Sequence, residues 1–319
     1  MLLQPRYRRL LTVGGLLDEA IQVFRQHWIT FALFSLVALL PSWLLVMLSY
    51  AAGFSSGFTN PGAVLPSLGA AVGFLFLGLL AGLCGLLWSA ASTAAAAMLL
   101  SGQSPTLRTV YGLAFERLPA LIGGTLIFGI VFVVLAVAST LLFVVTLFGT
   151  LGTLIALVGL YFWWQKPGTR KPWLKWLIIL TAPYGLAAYY FVRWSLYLPV
   201  LVLERKGPIG AMQRSSRLVV HQWFRAGAVL TLAALIVLVL VAIPVALVDA
   251  VVEIFGFTNS AFSGALTGSM LSNTASTVCQ VLFSSLATIS YVLLYVDLRN
   301  RGEGTDLGER LSSLEAASA

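Results

Sequence analysis

The residues that could do chemistry in this chain are few. Only 9% of its 319 residues are charged, and it has two histidines. His27 and His221 belong to no H-x-x-x-H or H-E-x-x-H pattern, so they predict no metal site. Asp249 and Glu253 are four residues apart and share a helix face; they could bind a cation or be solvated residues at a helix end. We expect no catalytic constellation and no cofactor.

Arg193 is the ionisable residue that lies deepest in an apolar segment. If that segment ends near Glu204, Arg193 lies 11 residues from its end, which is about 16 Å along a helix and near the bilayer midplane. A charge at that depth is costly, so it needs a partner, a water-filled cavity or a path to the surface. Two roles remain open: contact with a substrate or lipid headgroup, and a structural pair.

A basic stripe precedes a later apolar segment. Its members, at steps of 3, 4 and 4 residues, are Arg214, Arg217, His221 and Arg225. A continuous helix would place all four on one face, which suits anionic lipid headgroups. An ordinary cytoplasmic loop would carry the same residues.

Charges of both signs follow the last apolar segment. They are Asp297, Arg299, Arg301, Glu303 and Asp306. We expect them to clamp the helix end to the cytoplasmic loops, for example through Glu204 with Arg299 or Arg301. Docking of a partner protein is the alternative. Elsewhere, Gly78 and Gly82 form a G-x-x-x-G pattern that predicts close helix packing, either within the bundle or at a dimer seam.

The elements that hold these residues must be membrane helices. The chain is 59% hydrophobic, whereas a soluble domain has about 25% charged residues and far more polar surface. The net charge of +8 fits basic cytoplasmic loops better than nucleic-acid binding, which we exclude. Segments long enough to span a bilayer lie at 29–50, 69–100, 119–147, 174–203, 226–248 and 270–296.

Three amphipathic segments, 15–28, 106–118 and 208–225, each precede an apolar segment. Their apolar residues recur with helical spacing, so we expect helices that lie in the membrane interface. They predict a three-fold repeat of an interfacial helix followed by a helical hairpin. The whole of 1–307 is then a single all-α transmembrane domain, and 308–319 is a flexible tail.

The number of crossings depends on residues 148–164. Interfacial helices that all lie on the cytoplasmic side require an even number of crossings between them, and 148–164 is the shortest apolar segment. We expect it to be re-entrant, which leaves six spans and a cytoplasmic N-terminus. A seven-span arrangement, with 148–164 crossing, is one alternative, because it would place the basic residues of 165–175 inside. An eight-span arrangement, with one segment split at Pro183, is the other.

Two stretches carry a resemblance to a known family. They are PVLVLERKGPIGAMQRS at 199–215, followed by Trp223, and YVDLRNRGEGTDL at 295–307. With the start at 18–41, the chain resembles the bacterial glycerophosphoryl diester phosphodiesterase membrane domain. The resemblance spans about 15 to 310, relative to which 148–175 looks like an insertion. It implies a six-span bundle without the catalytic barrel of those enzymes, which relies on histidines and metal-binding acids.

These observations favour a non-enzymatic protein of the bacterial inner membrane. We expect a scaffold or accessory subunit of envelope or lipid-related machinery, whose partners are membrane lipids and a membrane protein or a second copy of the chain. The alternative is a transporter or lipid-handling protein with a polar cavity near Arg193.

Overall fold

The computed structural model describes residues 11–51, 64–145, 154–155, 157–160, 185–255 and 262–303. These residues form helices and short connections, and no strand occurs among them. The principal helices are α1 Val13–Ala51, α2 Val64–Leu100, α3 Leu107–Glu116, α4 Leu118–Val145, α5 Gly185–Trp194, α6 Tyr197–Leu203, α7 Pro208–Val219, α8 Trp223–Ile254 and α9 Phe262–Glu303.

Six helical ranges in the described part of the chain are long and apolar enough to cross a membrane. They are Val13–Met47, Leu75–Leu100, Leu118–Leu141, Leu186–Leu203, Trp223–Ile254 and Thr267–Gly302. A helix satisfies its own backbone hydrogen bonds, which lipid cannot do, so apolar runs of this length fold as helices. The predicted class, an all-α polytopic membrane bundle, is confirmed.

A similar backbone break occurs three times. His27 within α1 has φ −126° and ψ 20°, Arg117 between α3 and α4 has φ −96° and ψ 0°, and Gln222 before α8 has φ −124° and ψ 27°. Each break separates a short amphipathic helix from a long apolar one. A second apolar segment then follows: α2, α5 with α6, and α9. Among the described residues this is the order that the repeat predicts; most of 146–184, between α4 and α5, lies outside them.

Local sequence starts each short helix. The Thr12 hydroxyl accepts a hydrogen bond from the amide of Gly15 at 3.0 Å. Thr106 and Thr109 form a capping box at the start of α3, and Pro208 is the first residue of α7. Hydroxyl caps satisfy free amides of a first turn, and proline fits there because it has no amide hydrogen to satisfy.

The short helices join neighbouring repeats into a ring. α3 packs on α2, α7 packs on α5 and α6, and α1 packs on α9. α9 is the central element, since it contacts α1, α2, α6, α7 and α8. Within its most apolar window, 67% of the residues are buried, against 39% or less in the other spans.

The amphipathic helices bury one face in this ring. Ala20, Val110, Ala114 and Ala211 are fully or almost fully buried. Not every apolar residue of the predicted segment 208–225 faces the ring, since Ile209 and Val220 are 62% and 40% exposed. Ala211, Ser215 and Leu218 are buried instead, since small side chains let α7 approach its neighbours closely.

Several predicted boundaries differ from the structure. The predicted span 226–248 continues as α8 through Asp249 and Glu253 to Ile254, and α9 begins at Phe262, before the predicted residue 270. The segment 208–225 is broken after Val219, so it is not one helix. The predicted span 174–203 is broken at Ser195 and Leu196.

Some predictions fall outside the described residues. Of 148–164, only 154–155 and 157–160 are described, and both stretches are helical. Whether this segment crosses the membrane therefore stays a prediction, as do Asp306 and the tail 308–319.

The central position of α9 leads to a first prediction. Leu294 of α9 is fully buried, and Leu238 of α8 is 61% exposed toward the membrane. Leu294→Ala leaves a cavity and should lower the free energy of unfolding by about 2–4 kcal/mol. Leu238→Ala should change it by less than about 0.5 kcal/mol. Thermal unfolding in mild detergent measures both, and equal losses would contradict the central position of α9.

Candidate functional site

The most buried charge in the described part of the chain is Asp297, whose side chain is 1% exposed. Its Oδ2 lies 3.0 Å from Nη2 of Arg225 and 2.9 Å from Nε of Arg301. Its Oδ1 accepts a hydrogen bond from the amide of Leu11 at 3.1 Å. The carbonyl of Leu11 accepts from both guanidinium groups. We call these four residues the seam, because they join the start of α1 to α8 and α9.

The seam occupies the place where the ring has no covalent link. The connections 101–106 and 204–207 lead from one repeat into the short helix of the next. Leu11 stands just before α1, but α9 is the last helix described, so no peptide connection joins them. A buried carboxylate with two guanidinium partners holds that junction. Such buried pairs fix geometry more than they add stability, and removing one partner is costly.

A second charged cluster is centred on Glu204, just after α6. Its carboxylate lies 2.9 Å from Lys206 Nζ and 3.1 Å from Arg214 Nε, and it accepts a hydrogen bond from the Tyr295 hydroxyl at 2.9 Å. Burial raises the pKa of the Glu204 carboxyl, but the hydrogen bonds from Lys206, Tyr295 and Arg214 outweigh it, so the pKa lies below its usual value. The cluster ties α6 and α7 to α9.

The expected clamp has other partners than the sequence suggested. Arg301 was expected to pair with Glu204, but it pairs with Asp297 and the Leu11 carbonyl. Arg299 lines a small cavity of about 220 Å³ together with Glu204 and Tyr295. Tyr295 and Asp297 lie two residues apart and point to different sides of α9, so one helix end serves both clusters. Glu303 ends α9.

The four residues of the basic stripe do not share one face. Arg214 pairs with Glu204, and Arg225 pairs with Asp297. Arg217 and His221 are exposed. The expected single stripe is wrong because α7 ends at Val219 and a new helix starts at Trp223, so the steps of 3 and 4 residues do not continue on one axis.

Arg193 contacts α7. Its Nε donates a hydrogen bond to Ser216 Oγ, and its guanidinium carbon lies 6.0 Å from the ring centres of Tyr189 and Tyr190. Ser215 donates to the Arg193 carbonyl at 3.0 Å and accepts from the amide of Leu196 at 3.2 Å. These two serines satisfy polar groups at the break between α5 and α6. Sequence reasoning missed their role, although two adjacent serines in a buried stretch are a usable signal.

Gly78 and Gly82 do not pack closely against a helix among the described residues. A Cβ added to either would meet no atom within 4 Å. Both line an open apolar groove of about 910 Å³ between α2 and α4, together with Gly85 and Thr125. The expectation of close packing within the bundle is therefore wrong for the described part of the chain, and a dimer seam stays a prediction.

A further cavity, of about 550 Å³, lies between α2, α3 and α6. Its apolar wall comprises Ala94, Ala97, Met98, Leu113, Val202 and Leu203. Its polar side chains are Ser101, Gln103 and Arg205, all in connections at the end of the bundle that carries the two clusters. Sequence reasoning did not single out Arg205.

Residues suited to a metal do not come together within the described ranges, where no group of three or more histidine, cysteine, aspartate or glutamate residues could hold an ion. Cys84 is half-buried and Cys279 is buried, and both are free thiols. Asp249 accepts a hydrogen bond from Ser272, which joins α8 to α9 at the opposite end of α8 from the seam.

Comparison with known proteins supports the resemblance seen in the sequence. Residues 168–306 match the family model described as the membrane domain of glycerophosphoryl diester phosphodiesterase. The match covers somewhat less than half of the chain and includes α5 to α9, with the Glu204 cluster, Asp297, Arg225 and Arg301. No curated protein and no solved structure matches the chain.

The seam yields a second prediction. Asp297→Asn removes the charge that two guanidinium groups share, and should lower the free energy of unfolding by about 3–5 kcal/mol. Glu253→Gln, at an exposed end of α8, is the matched control and should cost less than about 0.5 kcal/mol. Thermal unfolding in detergent distinguishes them, and wild-type stability of the Asp297 variant would contradict the seam.

The Glu204 cluster yields a third prediction, on pH. A folded-state pKa below the usual 4.5 means that the carboxylate adds stability above that pH, and that this stability is lost as pH falls through the folded-state pKa. Unfolding midpoints measured from pH 7 down to pH 3 should fall more steeply for the wild type than for Glu204→Gln. Parallel curves for the two proteins would show that Glu204 has no such role.

Proposed function

We propose, from the premise that residues 168–306 match the membrane domain of glycerophosphoryl diester phosphodiesterase, that this chain is a non-enzymatic membrane scaffold. It serves as an accessory subunit of envelope or lipid-related machinery in the bacterial inner membrane. The matching family model describes the membrane domain of that enzyme. The proposal is that the chain contributes structure and contacts, and that chemistry belongs to its partners.

The observation that carries this proposal is that the buried carboxylates hold helices together. Asp297 holds the start of α1 to α8 and α9, and Glu204 holds α6 and α7 to α9. The two carboxylates thus stabilise five helices at one end of the bundle. Carboxylates saturated by guanidinium and backbone groups are suited to holding structure, and a catalytic carboxylate needs access to substrate.

The distribution of charge supports a cytoplasmic position for this end. The connections and helix ends here carry basic residues: Arg108, Arg117, Arg205, Lys206, Arg214, Arg217, Arg225, Arg299 and Arg301. The opposite end of α8 carries Asp249 and Glu253. Short loops rich in lysine and arginine stay on the cytoplasmic side. Leu11 lies at the basic end, so the N-terminal segment is cytoplasmic in this proposal.

The surface offered to a partner lies around the turn between α7 and α8. Arg217 and His221 are exposed there, and Phe224 is 45% exposed beside them. A patch that combines basic and aromatic side chains outside the membrane suits an acidic protein segment.

The alternative of a transporter requires Arg193 to face a polar cavity. Its hydrogen bond to Ser216 and its position over two tyrosine rings give it structural partners instead. Among the described residues, no observation favours a transport or lipid-handling cavity at Arg193, so we carry the scaffold proposal forward.

A crosslinking experiment tests the scaffold role. A photo-reactive amino acid is placed at Arg217, at His221 or, as the control, at Leu238 on the membrane-facing side of α8, and the full chain is irradiated in its native membrane. We expect a protein adduct of one defined mass from the first two positions and lipid adducts from the third. Lipid adducts from all three positions would overturn the proposal.

An enzyme assay provides the complementary test. The purified chain in lipid bilayers is incubated with glycerophosphodiesters and with phospholipids, and released glycerol phosphate is measured. We expect no release above that of empty bilayers, and turnover that the chain itself supports would refute a non-enzymatic role.

A further inference from the structure

The cavity between α2, α3 and α6 has an amphipathic lining. Six of the nine residues that line it are apolar and belong to helices or to the last turns of membrane spans. The three polar ones, Ser101, Gln103 and Arg205, lie in the connections at the basic end of the bundle. Its volume of about 550 Å³ falls within the range of ligand pockets, roughly 300–1,000 Å³.

The backbone of Arg205 is unusual. Arg205 has a φ of 54° and is the one non-glycine residue with positive φ in the described part of the chain. It follows the C-cap of α6, Glu204, a position where glycine is strongly preferred because a Cβ disfavours the left-handed conformation. An arginine at such a position indicates that its side chain has a use that offsets the strain.

The repeat provides an internal comparison. Gly102 follows the end of α2 in the same way that Arg205 follows the end of α6, and Gly102 also has a positive φ, of 80°. The first repeat thus uses glycine where the second uses arginine. Because the backbone geometry is served equally by glycine, the arginine side chain is what distinguishes the second repeat.

The charges around Arg205 favour an anion. None of the described carboxylates pairs with its guanidinium. The nearest acid in sequence, Glu204, is engaged by Lys206, Arg214 and Tyr295. The adjoining small cavity, which shares Ala97 and Leu203 with the larger one, adds Arg299 and the already engaged Glu204. Basic residues therefore outnumber acids at this opening.

We propose that this cavity binds an anionic phospholipid, with its phosphate at Arg205 and an acyl chain along the wall formed by Ala94, Met98 and Leu113. The guanidinium supplies charge-assisted hydrogen bonds to phosphate oxygens, and Ser101 and Gln103 provide polar contacts to the headgroup. The apolar wall selects a lipid over a free phosphate ion. This site is separate from the protein contacts of the scaffold role and does not rest on it.

Native mass spectrometry of the full chain in mild detergent tests the site. The chain is incubated with phosphatidylglycerol or with phosphatidylcholine, and retained lipid is counted. We expect wild type to retain phosphatidylglycerol preferentially and Arg205→Gly to lose that retention on the order of tenfold. The unfolding temperature of Arg205→Gly in lipid-free detergent should be equal to or above that of wild type, because glycine relieves the left-handed strain.

Two further variants separate the site from general surface charge. Arg25→Gln removes an exposed charge on α1 and should retain lipid as wild type does; an equal loss in both arginine variants would overturn the proposal. Leu113→Trp fills the apolar wall without changing charge, and should also reduce retention. Wild-type retention in either Arg205→Gly or Leu113→Trp would overturn it as well.

The source of the phosphate is distinguished by competition. Excess glycerol 3-phosphate is added to the chain with bound phosphatidylglycerol. We expect little displacement, because the soluble competitor has no acyl chain to fill the apolar wall. Complete displacement, accompanied by stoichiometric binding of glycerol 3-phosphate, would show a free-phosphate site and overturn the lipid assignment.

Discussion

The pairing of Asp297 with Arg225, Arg301 and both backbone polar groups of Leu11 is the contact on which the closed arrangement of this bundle depends. Between helices in lipid there is little hydrophobic driving force, since acyl chains are as apolar as leucine. Close packing and polar contacts must therefore hold the helices together. At two of the three junctions a peptide connection shares that task, and at the third these side chains perform it without one.

The two carboxylate clusters explain how so few charged residues organise a large bundle. Tyr295 and Asp297 project from the end of α9 toward different neighbours, so a single helix end engages α6, α7, α8 and the start of α1. In the other spans, at most 39% of the residues in the most apolar window are buried. The two carboxylates thus fix the bundle at its basic end, where the proposed partner surface and the cavity beside Arg205 also lie.

The fold was largely predictable because a helix that crosses lipid must be apolar along its length. Apolar length identifies spans, and the threonine and proline residues that begin the short helices mark the repeat. Pairing of charges was harder to predict. Arg214 and Arg225 are spaced as if they lay on one helix face. The break at Gln222 places them on different helices, so each pairs with a different carboxylate. The spacing of the residues does not predict such a break. Arg205 escaped notice because its significance lies in a backbone angle, which only the comparison with Gly102 in three dimensions makes visible.

The seam also has a consequence for the order of events during synthesis. Leu11 leaves the ribosome before the described helices, and Asp297 leaves after almost all of them. Until then, the backbone groups of Leu11 lack their hydrogen-bond partners on α9, and Arg225 lacks its counter-ion. The ring therefore closes only after the last described helix has been made. A chain that stops before α9 would leave Arg225 without this carboxylate partner.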